Sequence, residues 1–347
     1  MAVPRFIFHI GGHKTGTTFL QAVFHTLTPA LAERGVLVPA AWHRLPRQPG
    51  HHQLPIDLMA GSLPSLRRDV EGMMDSGCCE VIVSAEGLSV MRDQHVALLA
   101  SLLKGVDTSF VFHCRRWSDY FPSHWQTAVR GGIYDTLPEN LHPFLREPRL
   151  QSAVNFGIKL NQYARIFGRD RVSVVSYSNI IDAGGNLAHH FFEAFLPAHR
   201  AVFDANPKAA ELVSNMSFST VNIEMIRALN MLARKHGEKR GAGPGVWLMR
   251  TAEKDDVDRF HRMLESAGRV ITVDDDAPRL RALHAALFQE WGDRLVEPRS
   301  GDRFFEPRTR ELRFIAPSRV QAPVVAKALL ALYDQYRRDT GLPPRAE

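Results

Sequence analysis

Between Gly11 and Thr18 the chain reads Gly-Gly-His-Lys-Thr-Gly-Thr-Thr, a run whose residue types suit the binding of a phosphate group. Glycines let a backbone turn tightly and come close to an anion. The N–H groups at the start of a helix then point partial positive charge at it. The flanks supply that setting. RFIFHI (5–10) is a buried-strand pattern, and FLQAVFHTLTPALAERG after the loop has helical apolar spacing with a glycine at its end. Gly11 and Gly16 have the spacing of the G-x-x-x-x-G-K-[ST] loop, yet Thr17 stands where that loop carries its lysine, and the lysine here is Lys14. A lysine on the crest faces a group leaving a 5′-phosphate instead of reaching β- and γ-phosphates. The candidate phosphate-binding residues are Gly12, His13, Lys14, Thr15, Gly16, Thr17 and Thr18, with the two last threonines as hydroxyl donors. The competing reading is a strand-to-helix turn that is merely rich in Gly and Thr.

The elements that must hold such a loop follow from the apolar pattern. VLVP (36–39), EVIVSAE (80–86), SFVFHC (109–114) and RVSVVSY (171–177) are further strand candidates. Helical patterns cover 57–75, the stretch around 93–104, and the run after Cys114 that includes Tyr120 and Trp125. Strands alternating with helices predict a parallel sheet covered on both faces. From about residue 186 the pattern turns helical: HHFFEAFL, SFSTVNIEMIRALNMLARKHG, DDVDRFHRMLESAG, PRLRALHAALFQEWGDRLV and VVAKALLALYDQYRRDTG. The expectation is an α/β fold: a three-layer, P-loop-like core with a central parallel sheet of about five strands over 1–185, and a mostly helical part over 186–347, forming one domain.

Composition narrows the classes. The 347 residues are 45% hydrophobic and 23% charged, ordinary for a globular chain and against disorder as the main state. No apolar stretch is long enough for a transmembrane helix, and the N-terminus lacks a cleavage-site pattern, so a cytoplasmic protein without an integral membrane segment is expected. Three cysteines (Cys78, Cys79, Cys114) make no disulfide framework and no CxxC pair for zinc. The net charge of +6 favours anionic ligands in general. The basic residues form no long tract and no nucleic-acid motif, so no nucleic-acid partner is expected.

GGHKTGTTFLQ resembles the 5′-phosphosulfate-binding motif of sulfotransferases that use 3′-phosphoadenosine 5′-phosphosulfate (PAPS), and is most similar to bacterial members of that superfamily. The family's second motif, for the 3′-phosphate, is an Arg at a strand end and a Ser eight residues on, and Arg115 and Ser123 match it within His113-Cys114-Arg115-Arg116-Trp117-Ser118-Asp119-Tyr120-Phe121-Pro122-Ser123. A charged fork plus a hydroxyl tells a 3′-phosphate from a plain 3′-hydroxyl. Arg116 and Trp117 replace the common Arg-Asp-Pro wording, which leaves Arg115 and Arg116 both open as the closer contact.

The resemblance implies sulfuryl transfer from PAPS, with PAP as product, to a hydroxyl or amine of an acceptor. Lys14 would stabilise the leaving phosphate, and no metal is implied. A general base is expected near Glu86, which closes the third strand where ligands gather in such sheets, although an acid there also suits a helix N-terminus. His51 and His52, in the Pro- and His-rich loop, are alternatives for the base or for lining the acceptor pocket. Tyr177 matches a tyrosine that contacts adenine, with Ser178 in place of the usual acid. Asn215-Met216-Ser217-Phe218 resembles a segment that closes over the nucleotide, and Lys239 and Arg240 are a further anion clamp or simply an exposed loop. A carbohydrate, glycolipid or small hydroxyl compound is the implied acceptor class. The alternatives are a P-loop kinase or other nucleoside-triphosphate enzyme, and a non-catalytic nucleotide-binding protein.

Overall fold

The apolar runs of the first half become the strands of a parallel sheet. The computed structural model describes residues 3–44, 49–212, 219–238, 243–250, 258, 262, 268–296 and 301–343. Among the described residues the strands are β1 (Arg5–His9), β2 (Val36–Leu37), β3 (Glu80–Ser84), β4 (Thr108–Cys114), β5 (Val172–Ser176), β6 (Gly268–Asp274), β7 (Leu295–Val296) and β8 (Thr309–Ile315). Six of them form one sheet in the order β2-β3-β1-β4-β5-β7, every pair parallel.

Residues cluster into two compact units that interleave along the chain. The first comprises Met1–Arg116, Pro148–Met216 and Pro278–Glu306, and holds the six-stranded sheet. Each central strand alternates its side chains between two covered faces, as a pleat requires. Ile7, Ile82, Val111 and Val175 share one face and bury against Leu20, Val23, Phe24 and Leu27 of the helix Thr17–Ala32 and Phe191, Phe192 and Phe195 of the helix Leu187–Phe195. Phe6, Phe8 and Phe110 point the other way. Their rings stack at 6.1 and 5.3 Å, and Phe110 continues onto Tyr163 (4.9 Å) and Phe167 (4.4 Å) of the helix Gly157–Phe167. The three layers expected from the strand–helix alternation are therefore present.

Details of the sheet and of its covering helices differ from expectation. A sixth strand, β7, joins the edge through Val174↔Leu295 and Val175↔Val296; with two residues it is too short to carry a pattern of its own. The helical stretch expected over 57–75 is two helices, Gln53–Ala60 and Leu63–Met74, separated at Gly61, whose φ of 68° ends the first one.

The second unit comprises Trp117–Glu147, Ser217–Ala277 and Pro307–Glu347. The helix Thr220–Lys235 is its centre and packs on the helices Trp117–Arg130, Gly243–Arg250 and Pro323–Asp339. β6 and β8 form an antiparallel ribbon for which the apolar pattern gave no sign: β6 buries only Val273, so its side chains do not alternate cleanly. Buried polar residues tie the unit together. Asp275 accepts the Ser118 N–H (2.8 Å), the Ser118 hydroxyl (2.6 Å) and the Arg308 N–H (3.0 Å). Glu224 accepts from Arg227 Nε (2.5 Å) and from the Ile315 N–H (3.0 Å). Burial pushes the Glu224 carboxyl up, and the Arg227 guanidinium opposes that shift.

The Phe110 ring sits at the junction of the two aromatic stacks. Phe110→Ala should cost about 3–5 kcal/mol of stability, as large buried aromatics do. Urea denaturation of the variant against the wild type measures it.

Candidate active site

All four side-chain groups of the candidate site in the first unit leave the sheet at the carboxyl ends of adjacent strands. The phosphate loop follows β1, Glu86 follows β3, Arg115 follows β4 and Tyr177 follows β5. From β1 the chain goes to one side of the sheet for β2 and β3, then crosses back past β1 for β4 and β5. Such a switch point opens a crevice where ligands bind.

The loop is held by backbone bonds that only glycine permits. The Gly12 N–H donates to the His113 carbonyl at 3.1 Å, and a Cβ on Gly12 would lie 2.5 Å from that same oxygen. Gly11 (φ 39°) leaves no room for a Cβ beside Thr17, and Gly16 (φ 76°) lies against Leu187 and Tyr177. Gly16 is also the N-cap of the helix Thr17–Ala32. It offers no side-chain cap, and the first turn carries no acid. The first-turn amides are thus suited to an external anion. The Thr15 hydroxyl closes the loop on the Gly12 carbonyl (2.5 Å). Lys14, at the crest, has a φ of 66°, in the left-handed region.

Two side chains bracket the loop. From the β3 side, Glu86 Oε2 accepts the Thr17 hydroxyl at 2.5 Å and lies 3.9 Å from His13 Nδ1. From the β4 side, Arg115 Nη1 donates to the Lys14 carbonyl at 2.5 Å, and its guanidinium lies 5.1 Å from the centre of the Tyr177 ring. Thr17 is therefore engaged with Glu86 in a way its residue type did not announce, while Thr18 is exposed.

Arg116 points elsewhere. Its side chain is wholly buried, donating to Asp182 and, through Nε at 2.6 Å, to the Glu306 carbonyl. Of the adjacent arginines only Arg115 reaches the loop; Arg116 is spent inside the protein. Tyr177 is not the end of β5, as expected, but the first residue of the helix Tyr177–Asp182, because the Ser176 hydroxyl caps that helix at Asn179 N–H (3.3 Å).

His51 is tied to the backbone. It is 2% exposed, its Nδ1 accepts the Ser84 N–H at 2.9 Å, and its Nε2 bonds the Pro39 carbonyl at 3.1 Å. Both nitrogens bond to backbone groups, so His51 staples its loop to the end of β3. His52 precedes the helix Gln53–Ala60 and neighbours His43 and His51. Ser123 lies in the second unit, on the helix Trp117–Arg130, where its carbonyl accepts the Thr127 hydroxyl at 3.1 Å. The segment Asn215-Met216-Ser217-Phe218 and the pair Lys239 and Arg240 lie outside the described residues.

Sequence reasoning missed a polar layer beneath the loop. On the pleat face that carries Ile7, Ile82 and Val111, the next residues toward the carboxyl ends are His9, Ser84 and His113. His9 Nδ1 bonds the Ser84 hydroxyl at 2.8 Å, and His9 Nε2 lies 3.3 Å from His113 Nδ1. A Cβ on Gly11 would come within 3.1 Å of His9 Nε2, so the loop rests on this layer. Burial pushes His9 down to about 3 and holds His113 well below the ordinary histidine range; His51 is likewise at about 3, chiefly through burial. All three are neutral imidazoles near neutrality. The visible signal was a histidine at the same place in two apolar strands, RFIFHI and SFVFHC.

No family model matches the chain, and no curated protein matches it. Among solved structures, the crystal structure of a sulfotransferase from Alicyclobacillus acidocaldarius is similar at a TM-score of 0.36 and 13% identity, covering 75% of this chain and 100% of that one. A likeness so remote assigns no role to any residue. No helix among the described residues is long and apolar enough to cross a membrane, and no group of three or more metal-ligating side chains is found among them.

The buried histidines set a pH dependence. Their folded-state values lie below the unfolded value of about 6.5, so below that pH the unfolded chain takes up protons that the native one refuses. Stability should be flat above pH 7 and should fall between pH 6.5 and 5 by roughly 1 kcal/mol per pH unit for each of the three. Urea denaturation at pH 7.5, 6 and 5 measures the slope; a flat profile would show that these rings are not buried neutral.

Proposed function

We propose that this chain is a PAPS-dependent sulfotransferase that moves a sulfuryl group to a hydroxyl of an acceptor. The observation that carries the reading is the bracketed loop: a cation from β4 and a carboxylate from β3 are both hydrogen-bonded to one uncapped phosphate loop that has Lys14 at its crest.

The donor set fits the nucleotide. An uncapped helix start without acids suits a 5′-phosphate, and Arg115 beside the Tyr177 ring suits a second phosphate next to a base. PAPS, when bound, supplies the activated sulfuryl group and a phosphate as leaving group. The first-turn amides from Thr17 onward hold the 5′-phosphate in place. The Lys14 ammonium offsets the negative charge that grows on the leaving oxygen. A carboxylate oxygen of Glu86 takes the acceptor's proton. The Thr17 hydroxyl, donating to Oε2, keeps that carboxylate turned toward the loop. Arg115 takes the 3′-phosphate. Positioning and fixed charge account for the rate in this scheme, as expected for transfer between two oxygens. A carbohydrate or glycolipid hydroxyl is the acceptor class in keeping with the resemblance of the loop.

Two measurements test the reading. Calorimetric titration should show PAP binding at least about tenfold more tightly than AMP, since a charged contact to the 3′-phosphate is worth that much. Equal affinity for PAP and AMP, or tight binding of Mg-ATP, would overturn it in favour of a nucleoside-triphosphate enzyme. Lys14→Ala should lower turnover by about 10²–10³-fold while leaving the circular dichroism spectrum unchanged. Glu86→Gln should cost about 10²–10⁴-fold, the range for a general base.

A further inference from the structure

Resting on that reading of the loop, we propose that Arg115 is a positioning residue for Lys14 and not only a contact for the 3′-phosphate. Lys14 and Trp42 are the two non-glycine residues with positive φ among the described residues. An L side chain adopts that conformation against the repulsion of its own Cβ, and keeps it only where the surroundings over-determine it. Here the surroundings are on view. Gly12 N–H is pinned to the His113 carbonyl (3.1 Å), and the Thr15 hydroxyl is pinned to the Gly12 carbonyl (2.5 Å). Those bonds fix the loop on either side of Lys14. The bond to Lys14 itself comes from Arg115, at 2.5 Å on the Lys14 carbonyl.

Arg115 is in turn held in place. Its guanidinium lies over the Tyr177 ring at 5.1 Å, and that ring sits against Gly16, where a Cβ would come within 3.1 Å of it. Arg115, Lys14, Gly16 and Tyr177 thus form a closed circuit of contacts around the loop. A guanidinium carries five N–H donors in a rigid fork, so the bond to one carbonyl does not stop the same group from meeting an anion. The backbone from which the Lys14 ammonium extends therefore depends on the residue that meets the 3′-phosphate. The consequence separates this role from simple phosphate binding: removing Arg115 weakens a ligand that has no 3′-phosphate at all.

The test is calorimetric titration of AMP and PAP into the wild type, Arg115→Lys and Arg115→Met, with circular dichroism to check folding. AMP affinity should fall about tenfold in both variants, because a lysine is a point donor that cannot lie on Tyr177 and hold the Lys14 carbonyl in the same geometry. PAP affinity should fall further in Arg115→Met than in Arg115→Lys, which keeps a charge for the 3′-phosphate. In a Lys14→Ala background the loss of AMP affinity on changing Arg115→Lys should largely vanish, because Arg115 acts through Lys14. Unchanged AMP affinity in both variants, with PAP weakened, overturns the positioning role and leaves Arg115 a 3′-phosphate contact. A wild type that prefers PAP no more than AMP overturns the PAPS reading instead, and the AMP arm still decides the role of Arg115. Failure of the wild type to bind AMP overturns the loop as a phosphate site and the positioning role with it. If Arg115→Met does not fold, Arg115→Lys carries the comparison.

Discussion

The close approach of the phosphate loop to the end of β4 is the constraint on which the site depends. The Gly12 N–H meets the His113 carbonyl where any Cβ would collide with that oxygen. Backbone against backbone has no rotamer to yield, so the turn after β1 is fixed relative to the strand that delivers Arg115. Once the loop is seated there, the crest at Lys14 falls within reach of the Arg115 guanidinium, and Thr17 faces the carboxylate arriving from β3. The site is a set of strand ends drawn together by one turn.

Beneath the turn the sheet changes character within one pleat step. Ile7, Ile82 and Val111 are apolar core; His9, Ser84 and His113, on the same face, are a hydrogen-bonded polar layer. Burial on this scale is tolerable because the rings are neutral and His9 bonds both Ser84 and His113, though His113 Nε2 has no hydrogen-bond partner among the described residues. An imidazole can donate at one nitrogen and accept at the other, which a carboxylate or ammonium cannot do without a charge. Histidine therefore suits a place that must support a polar loop yet remain uncharged. His51 plays a similar part at the edge, where both nitrogens satisfy backbone groups of Ser84 and Pro39.

Adjacent residues of one type take opposite roles here. Arg115 and Arg116 follow β4 in succession. One turns to the loop; the other is buried on Asp182 and the Glu306 carbonyl. His51 and His52 divide similarly, into a buried backbone staple and a partly exposed neighbour of His43. Nothing in residue type distinguishes the members of either pair. The direction in which each Cα–Cβ bond leaves the chain does, and for the arginines that direction follows from the end of β4.

The sequence by itself determined the parallel sheet, the strand–loop–helix at Gly11–Thr18 and the strand-end placement of Glu86 and Arg115, because these rest on short-range pattern: apolar runs, glycine spacing, and a break where a strand must end. Only the tertiary structure decided which arginine reaches the loop, that His51 is a staple, that His9 and His113 lie under the phosphate loop, and that β7 and the β6–β8 ribbon exist. Those facts depend on partners 12 to 190 residues away along the chain, from His51 with Pro39 to Arg116 with Glu306. A pattern of neighbours carries no information about partners so distant; the pleat, the strand order and the crossovers bring them within hydrogen-bond range.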